Sequence, residues 1–203
     1  LFSRAQQESW LHLCRTLIAP AFDITPEMLT HTHVVDPNTL QPLASRAWEQ
    51  YDWRTLPANE DLIVRYISKA CQILANVDLI PAGVTSPGGF AKGSLDLYAR
   101  ATGLAMRSIT TNPLPYFFHD VQQHGPVETR VWEIDRQAGT AVGEIVAGTG
   151  DWTGSWTGYG EVSIDKYITA DLQGGRLPEL INAGDPAIML SHWQGFYGLH
   201  NDD

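Results

Sequence analysis

The stretch EDLIVRYISKACQILANVDLIPAGVTSPGGF, residues 60–90, decides how the chain is read. Over Glu60–Val77 the apolar side chains Leu62, Ile63, Tyr66, Ile67, Ala70, Ile73, Leu74 and Val77 recur at three and four. That spacing predicts a helix with one buried face. Leu79–Thr85 follows as a short strand, and the SPGGF loop of residues 86–90 ends it. Helix, strand and polar loop in this order form the repeating unit of an α/β protein.

The same alternation extends outward on both sides. Residues 3–18 place Trp10, Leu13, Cys14, Leu17 and Ile18 on one helical face, and Pro20 stops the helix. The apolar segment Ala21–Ile24 is expected as a first strand, and residues 36–58, with Pro37, Pro42 and Pro57, as an irregular excursion. Ser94 is expected to cap a helix running to Ile109. Pro115–Asp120, Val131–Asp135 and Ala141–Thr149 read as strands, and Ser163–Leu172 and Leu177–Ala183 as short helices around Gly174-Gly175. Ala187–His192 reads as a buried strand. The pattern predicts a single α/β domain over residues 1–203 with largely parallel strands. A chain that opens on Leu1 and stops soon after a strand is expected to be a fragment of a longer barrel.

Composition narrows the function classes. An apolar fraction of 43% and a charged fraction of 18% are globular values. The net charge of −10, with the 13 Lys and Arg scattered, excludes a nucleic-acid footprint. No apolar run approaches the roughly 20 residues of a membrane-spanning helix, and no leader is visible; the compartment and oligomeric state stay open. Cys14 and Cys71 sit on apolar helix faces and read as core thiols.

The reactive side chains gather after the expected strands, where α/β folds build their sites. TPEMLTHTHVVD, residues 25–36, holds Glu27, His31, His33 and Asp36, all capable of metal binding or acid–base work. For His31 and His33 loop hydrogen-bonding is the plainer reading. Ser86 and Phe90 follow the second strand, and His119 the third, where a satisfied structural histidine is the plainer reading. Asp151, Trp152 and Trp156 lie in a glycine-rich loop suited to a sugar face, although Asp151 also suits a turn. His192 ends the last strand.

In order and wording, PEMLTHT (26–32), GVTSPGGF (83–90), GTGDW (148–152) and AIMLSHW (187–193) resemble segments of the NodB-like polysaccharide deacetylase superfamily, in particular an uncharacterised bacterial branch. The resemblance implies a distorted (β/α) barrel, here incomplete, that uses a divalent metal to remove N- or O-acetyl groups from a carbohydrate. Matched residue by residue, Glu27 and His31 stand at the metal-binding pair, with His33 as a further ligand. Glu27 replaces the histidine expected there, the arginine of the third segment is missing, and the family's first segment, with its paired aspartates, has no counterpart. His192 stands where the general acid is expected, and Asp151 is the residue to orient it or act as base. Ser86, Phe90, Trp152, Trp156 and His119 would line the substrate. Zinc suits this donor set, as do iron, nickel and cobalt. Two other readings compete: a catalytically inactive carbohydrate-binding barrel, and a glycoside hydrolase using Glu27 and Asp151 as its carboxylate pair.

Overall fold

The computed structural model describes residues 2–50, 52, 60–88, 90, 93–150 and 163–192. The described chain is mixed α/β, without a closed barrel, and divides into two compact units. The first comprises Leu1–His119 and Val131–Glu144, the second Asp120–Arg130 and Ile145–Asp203.

The chain opens with α1 (Arg4–Leu13), capped reciprocally by Ser3 and Gln6, and continues as a π-helical turn over Cys14–Ile18. The expected apolar face is present but uncovered: Trp10 is 62% exposed and Leu17 66%, while Cys14 alone is buried. Helix α2 (Glu60–Ala75) buries Ile63, Tyr66, Ile67, Ala70 and Cys71, the stripe its periodicity predicts. Helix α3 (Leu95–Ile109) buries Tyr98, Ala99, Ala101, Thr102, Gly103, Ala105 and Met106. Ser94 precedes it without a side-chain capping bond, so the expected cap is not made.

Strand β1 (Gly83–Thr85) pairs in parallel with β2 (Tyr116–Val121), and β3 (Val131–Asp135) pairs antiparallel with β4 (Thr140–Ala147). The sheet order is β1-β2-β4-β3. The expectation of largely parallel strands is therefore corrected to a mixed sheet. The cause is the connection from Asp135 to Thr140, a tight turn closed by Gly139 at φ 63 and by Asp135 accepting from the Ala138 amide. A parallel return needs a crossover of a dozen or more residues.

The expected first strand is also absent. Asp23 accepts the Ala82 amide at 3.1 Å, taking a donor that a neighbouring strand's carbonyl would otherwise use. Pro26 has no amide to give and contributes only its carbonyl, to Thr85 at 3.0 Å. Thr25 and Thr85 meet through their hydroxyls at 2.8 Å. The segment thus lies beside β1 without forming a ladder.

One core unites the first unit, with Tyr66, Tyr98, Phe90, Phe117, Val84 and Val142 at its centre and Trp132 and Ile134 packed against it. Gly83 is required at the β1–β2 crossing, where a Cβ would meet the Tyr116 carbonyl oxygen at 2.5 Å.

In the second unit the short parallel pair β5 (Thr149–Gly150) and β6 (Met189–Leu190) neighbours α4 (Arg176–Ala183) in the chain order. β6 is half-buried rather than the fully buried strand expected. Only Ile164–Lys166 of the expected Ser163–Leu172 helix is helical, as a 3-10 turn. Asp171 and Thr169 there bond the Gln173 and Gly174 amides, drawing the backbone into turns. Arg176 is buried and donates to the carbonyls of Gly148, Gln122 and Gly125. Val127, Val146 and Leu180 form the small core.

Two outcomes follow. Gly83→Ala should lower stability by about 1–3 kcal/mol through overpacking against a backbone that cannot yield, measured by chemical denaturation. Burial, reinforced by the charge of Asp23, pushes the Cys71 thiol from 9.0 up to about 12. A raised acid favours the folded state's neutral form, so its contribution is intact below pH 9.0 and lost as pH rises toward about 12. Native Cys71 should resist thiol reagents near neutral pH, and stability should fall less steeply above pH 9.0 in Cys71→Ala than in the wild type.

Candidate functional site

The TPEMLTHTHVVD segment is shaped by a carboxylate outside it. Glu49, fully buried, accepts the Thr30 amide at 3.0 Å, the His31 amide at 2.9 Å and the Thr30 hydroxyl at 3.0 Å. The Tyr66 hydroxyl of α2 donates to it as well. Successive amides turned onto one anion form an anion-binding concavity, occupied here by the chain's own side chain. The turn requires left-handed backbone at Met28 (φ 55) and His31 (φ 57), each unfavourable for a residue with a Cβ. Burial, then the hydrogen bond to Glu49 and its charge, raise the Tyr66 hydroxyl well above its ordinary range.

With its amides turned inward, the segment presents Glu27 and His31 outward. Glu27 Oε1 lies 3.2 Å from His31 Nε2, and the two side chains are 48% and 51% exposed. The Gln50 side-chain nitrogen lies beside the ring, 2.7 Å from His31 Nδ1 and 3.4 Å from His31 Nε2. His33 is occupied differently: its Nδ1 faces the Arg46 carbonyl at 3.1 Å and its ring tilts against Trp48. Asp36 accepts the Asn38 and Thr39 amides at 2.8 and 2.9 Å, which marks it as a turn residue. Those bonds hold its carboxyl below the usual carboxylate range.

The loop after β1 joins this group. Gly88, at φ 49, lies against Gln50, where a Cβ would reach the Gln50 Cβ at 3.4 Å. Ser86 donates its amide to Phe118 at 2.8 Å, and its hydroxyl to Tyr98 at 2.8 Å within the core. Burial raises the Tyr98 hydroxyl. Phe90 is buried against Tyr98, with ring centroids 5.0 Å apart, and offers no exposed face to a ligand. Both residues expected at a substrate surface therefore serve packing.

On β2, His119 is held by a residue the sequence reading missed. Its Nε2 lies 2.9 Å from Glu144 Oε1 on β4, and Trp132 on β3 donates to Glu144 Oε2 at 2.7 Å. The His119 and Glu144 side chains are 10% and 3% exposed. Glu144 falls in register with the inward Val142 and Val146, and a carboxylate at such a position signals a buried partner. Glu49 and Gln50 carry no such periodic signal.

His192 follows β6 in the second unit. Asp151, Trp152 and Trp156 lie outside the described residues. A cavity of about 300 Å³ sits at the opposite end of β1, lined by Ala21, Phe22, Asp23, Ile24, Leu79 and Ile80, away from Glu27 and His31. Among the described residues no three His, Cys, Asp or Glu side chains gather as a metal-binding group, and no helix is long and apolar enough to cross a membrane.

Two donors nevertheless fit one cation. At bond lengths of about 2.0–2.1 Å, two ligands of a tetrahedral ion lie roughly 3.3–3.4 Å apart, close to the observed 3.2 Å. Glu27 and His31 are therefore near enough to share an ion. No family model, curated protein or solved structure matches the chain.

Tyr66→Phe removes a donor to a buried charge and should cost about 1.5–3 kcal/mol of stability. Urea denaturation measures the cost, and amide exchange at Thr30 and His31 should accelerate in the same variant.

Proposed function

We propose that the chain is a metal-dependent hydrolase that removes acetyl groups from a carbohydrate, built as a partial barrel of the NodB-like deacetylase type. The observation that carries this reading is the 3.2 Å approach of Glu27 Oε1 and His31 Nε2 on an exposed loop. Their four-residue spacing is that of the metal-binding pair in the resembled family. The lie of residues 23–26 beside β1, with Asp23 at Ala82 and Pro26 at Thr85, supports a parallel first position next to that strand.

Glu27 and His31 would hold the ion, zinc first, with iron, nickel or cobalt also suited to a carboxylate–imidazole pair. A bound divalent ion supplies an acidified water and a polarised carbonyl. Glu49 holds the loop that carries both residues, and the Gln50 amide lies against the His31 ring. The remaining roles belong to residues proposed on the family pattern alone. On that pattern Asp151 would be a further ligand or the base, and His192 the general acid for the leaving amine or alkoxide. Trp152 and Trp156 offer the sugar a flat apolar face. His33 stays the second choice as a ligand, because its Nδ1 is engaged with Arg46.

The missing arginine of the third segment favours one further reading, a carbohydrate-binding domain without turnover. Calorimetric titration with zinc, followed by acetate release from N-acetylated and O-acetylated oligosaccharides, separates the two. The hydrolase reading expects one bound ion, its loss in Glu27→Gln and His31→Ala, and acetate release that stops on chelation. Oligosaccharide binding indifferent to chelator, with no bound ion, would establish the binding domain instead.

A further inference from the structure

We infer that the cavity at the start of β1 binds a small amphipathic amine, its ammonium on Asp23 and its apolar body against Phe22, Ile24, Leu79 and Ile80. The site lies away from Glu27 and His31 and does not rest on the hydrolase reading. Its volume of about 300 Å³ is at the small end of ligand sites, which suits a single ring or a short alkyl chain. The walls come from one unit of the chain: residues 19–24, after the π-helical turn, and residues 79–82, ahead of β1. Apart from Asp23, the lining side chains among the described residues are all apolar. Phe22 is 69% exposed and Ile80 59%. The apolar body of a ligand would cover surface that the fold itself leaves in water.

Asp23 supplies the charge. Its carboxylate accepts the Ala82 amide on both oxygens at 3.1 Å, and the Tyr116 hydroxyl on Oδ2 at 2.6 Å. Burial, then the hydrogen bond to Asp23 and its charge, raise the Tyr116 hydroxyl above its ordinary range, which keeps it a donor. An ionised carboxylate offers about four acceptor positions, so these bonds leave one on Oδ1. Both partners are neutral. None of the ion pairs among the described residues includes Asp23. Arg15, the arginine that precedes it in the chain, donates instead to the Val77 carbonyl at 2.8 Å and lies 3.8 Å from Asp78. Asp23 is thus a carboxylate held in place without a counter-ion in the lining of an apolar cavity. A group that only accepts selects a ligand that donates. Its uncompensated charge selects a cationic donor over a hydroxyl, and the chain's net charge of −10 favours the same sign. A primary ammonium on an apolar body meets each condition.

The test is titration of the full chain with hexylamine near neutral pH, followed by amide nitrogen–proton correlation, with hexanol and hexanoate as matched probes. Saturable shifts are expected at residues 19–24 and at Ala82, and none at Glu27 or His31. Affinity should rise about fourfold for each methylene added from propylamine to hexylamine. Hexanol should bind about fivefold more weakly than hexylamine, the upper end for an exposed ion pair, and hexanoate more weakly still. Asp23→Asn keeps an acceptor oxygen and should bring hexylamine down to the level of hexanol. Tyr116→Phe removes an internal bond but keeps the charge, and should bind hexylamine at least as well as the wild type. Phe22→Ala and Ile80→Ala, at exposed positions, should lower the gain per methylene. Unchanged amide signals at Tyr98 and Phe117 confirm that each variant is folded. Equal affinity for hexylamine, hexanol and hexanoate would overturn the inference, as would wild-type affinity in Asp23→Asn. Shifts that fail to saturate, or that centre on other residues, would overturn it too.

Discussion

A charge taken out of water costs several kcal/mol unless the protein replaces its hydration, and Glu49 is fully buried. Its replacement shell comes from four donors: two amides and a hydroxyl of the 30–31 turn, and the phenol of Tyr66 on α2. The turn could not close on its own, since left-handed backbone at Met28 and His31 costs on the order of 1–2 kcal/mol each. The carboxylate compensates the strain, and the strain aims the amides. Through Tyr66 the same group fastens the turn to the longest helix of the first unit. The backbone at Thr30 and His31 is therefore held from beneath by Glu49.

The helices α2 and α3 were legible because each buries a regular stripe of apolar side chains against one core, whereas β1 covers only Gly83–Thr85 of the expected Leu79–Thr85 strand. The misreadings share a cause. At Asp23, Asp171 and Thr169, side chains take up backbone amides that regular structure would have used, and apolar periodicity does not register such competition. The antiparallel turn of β3 into β4 was readable in principle from the short Asp135–Thr140 connection, which is too brief for a crossover helix. The uncovered apolar face of α1 shows the converse: periodicity reports which side of a helix could be buried, not whether anything covers it.

At the site, the sequence supplied the outward pair and missed what holds it. Glu27 and His31 were legible as chemistry-bearing residues at a family-like spacing. Glu49 and Gln50 lie in an irregular excursion, where neither burial nor direction can be inferred without the fold. Ser86 and Phe90 failed as surface residues for a simpler reason: the loop after β1 folds back, and their side chains enter the Tyr98 environment.

The two carboxylate–imidazole pairs separate structure from chemistry more sharply than their similar distances suggest. Glu144 and His119 are buried, and Trp132 takes the second carboxylate oxygen. Removing one member of such a pair strands a charge in the core, so its geometry is accounted for by stability. Glu27 and His31 are half exposed, where an ion pair contributes only about 0–1 kcal/mol. The exposed pair has no such structural account, and the proposed function rests on it.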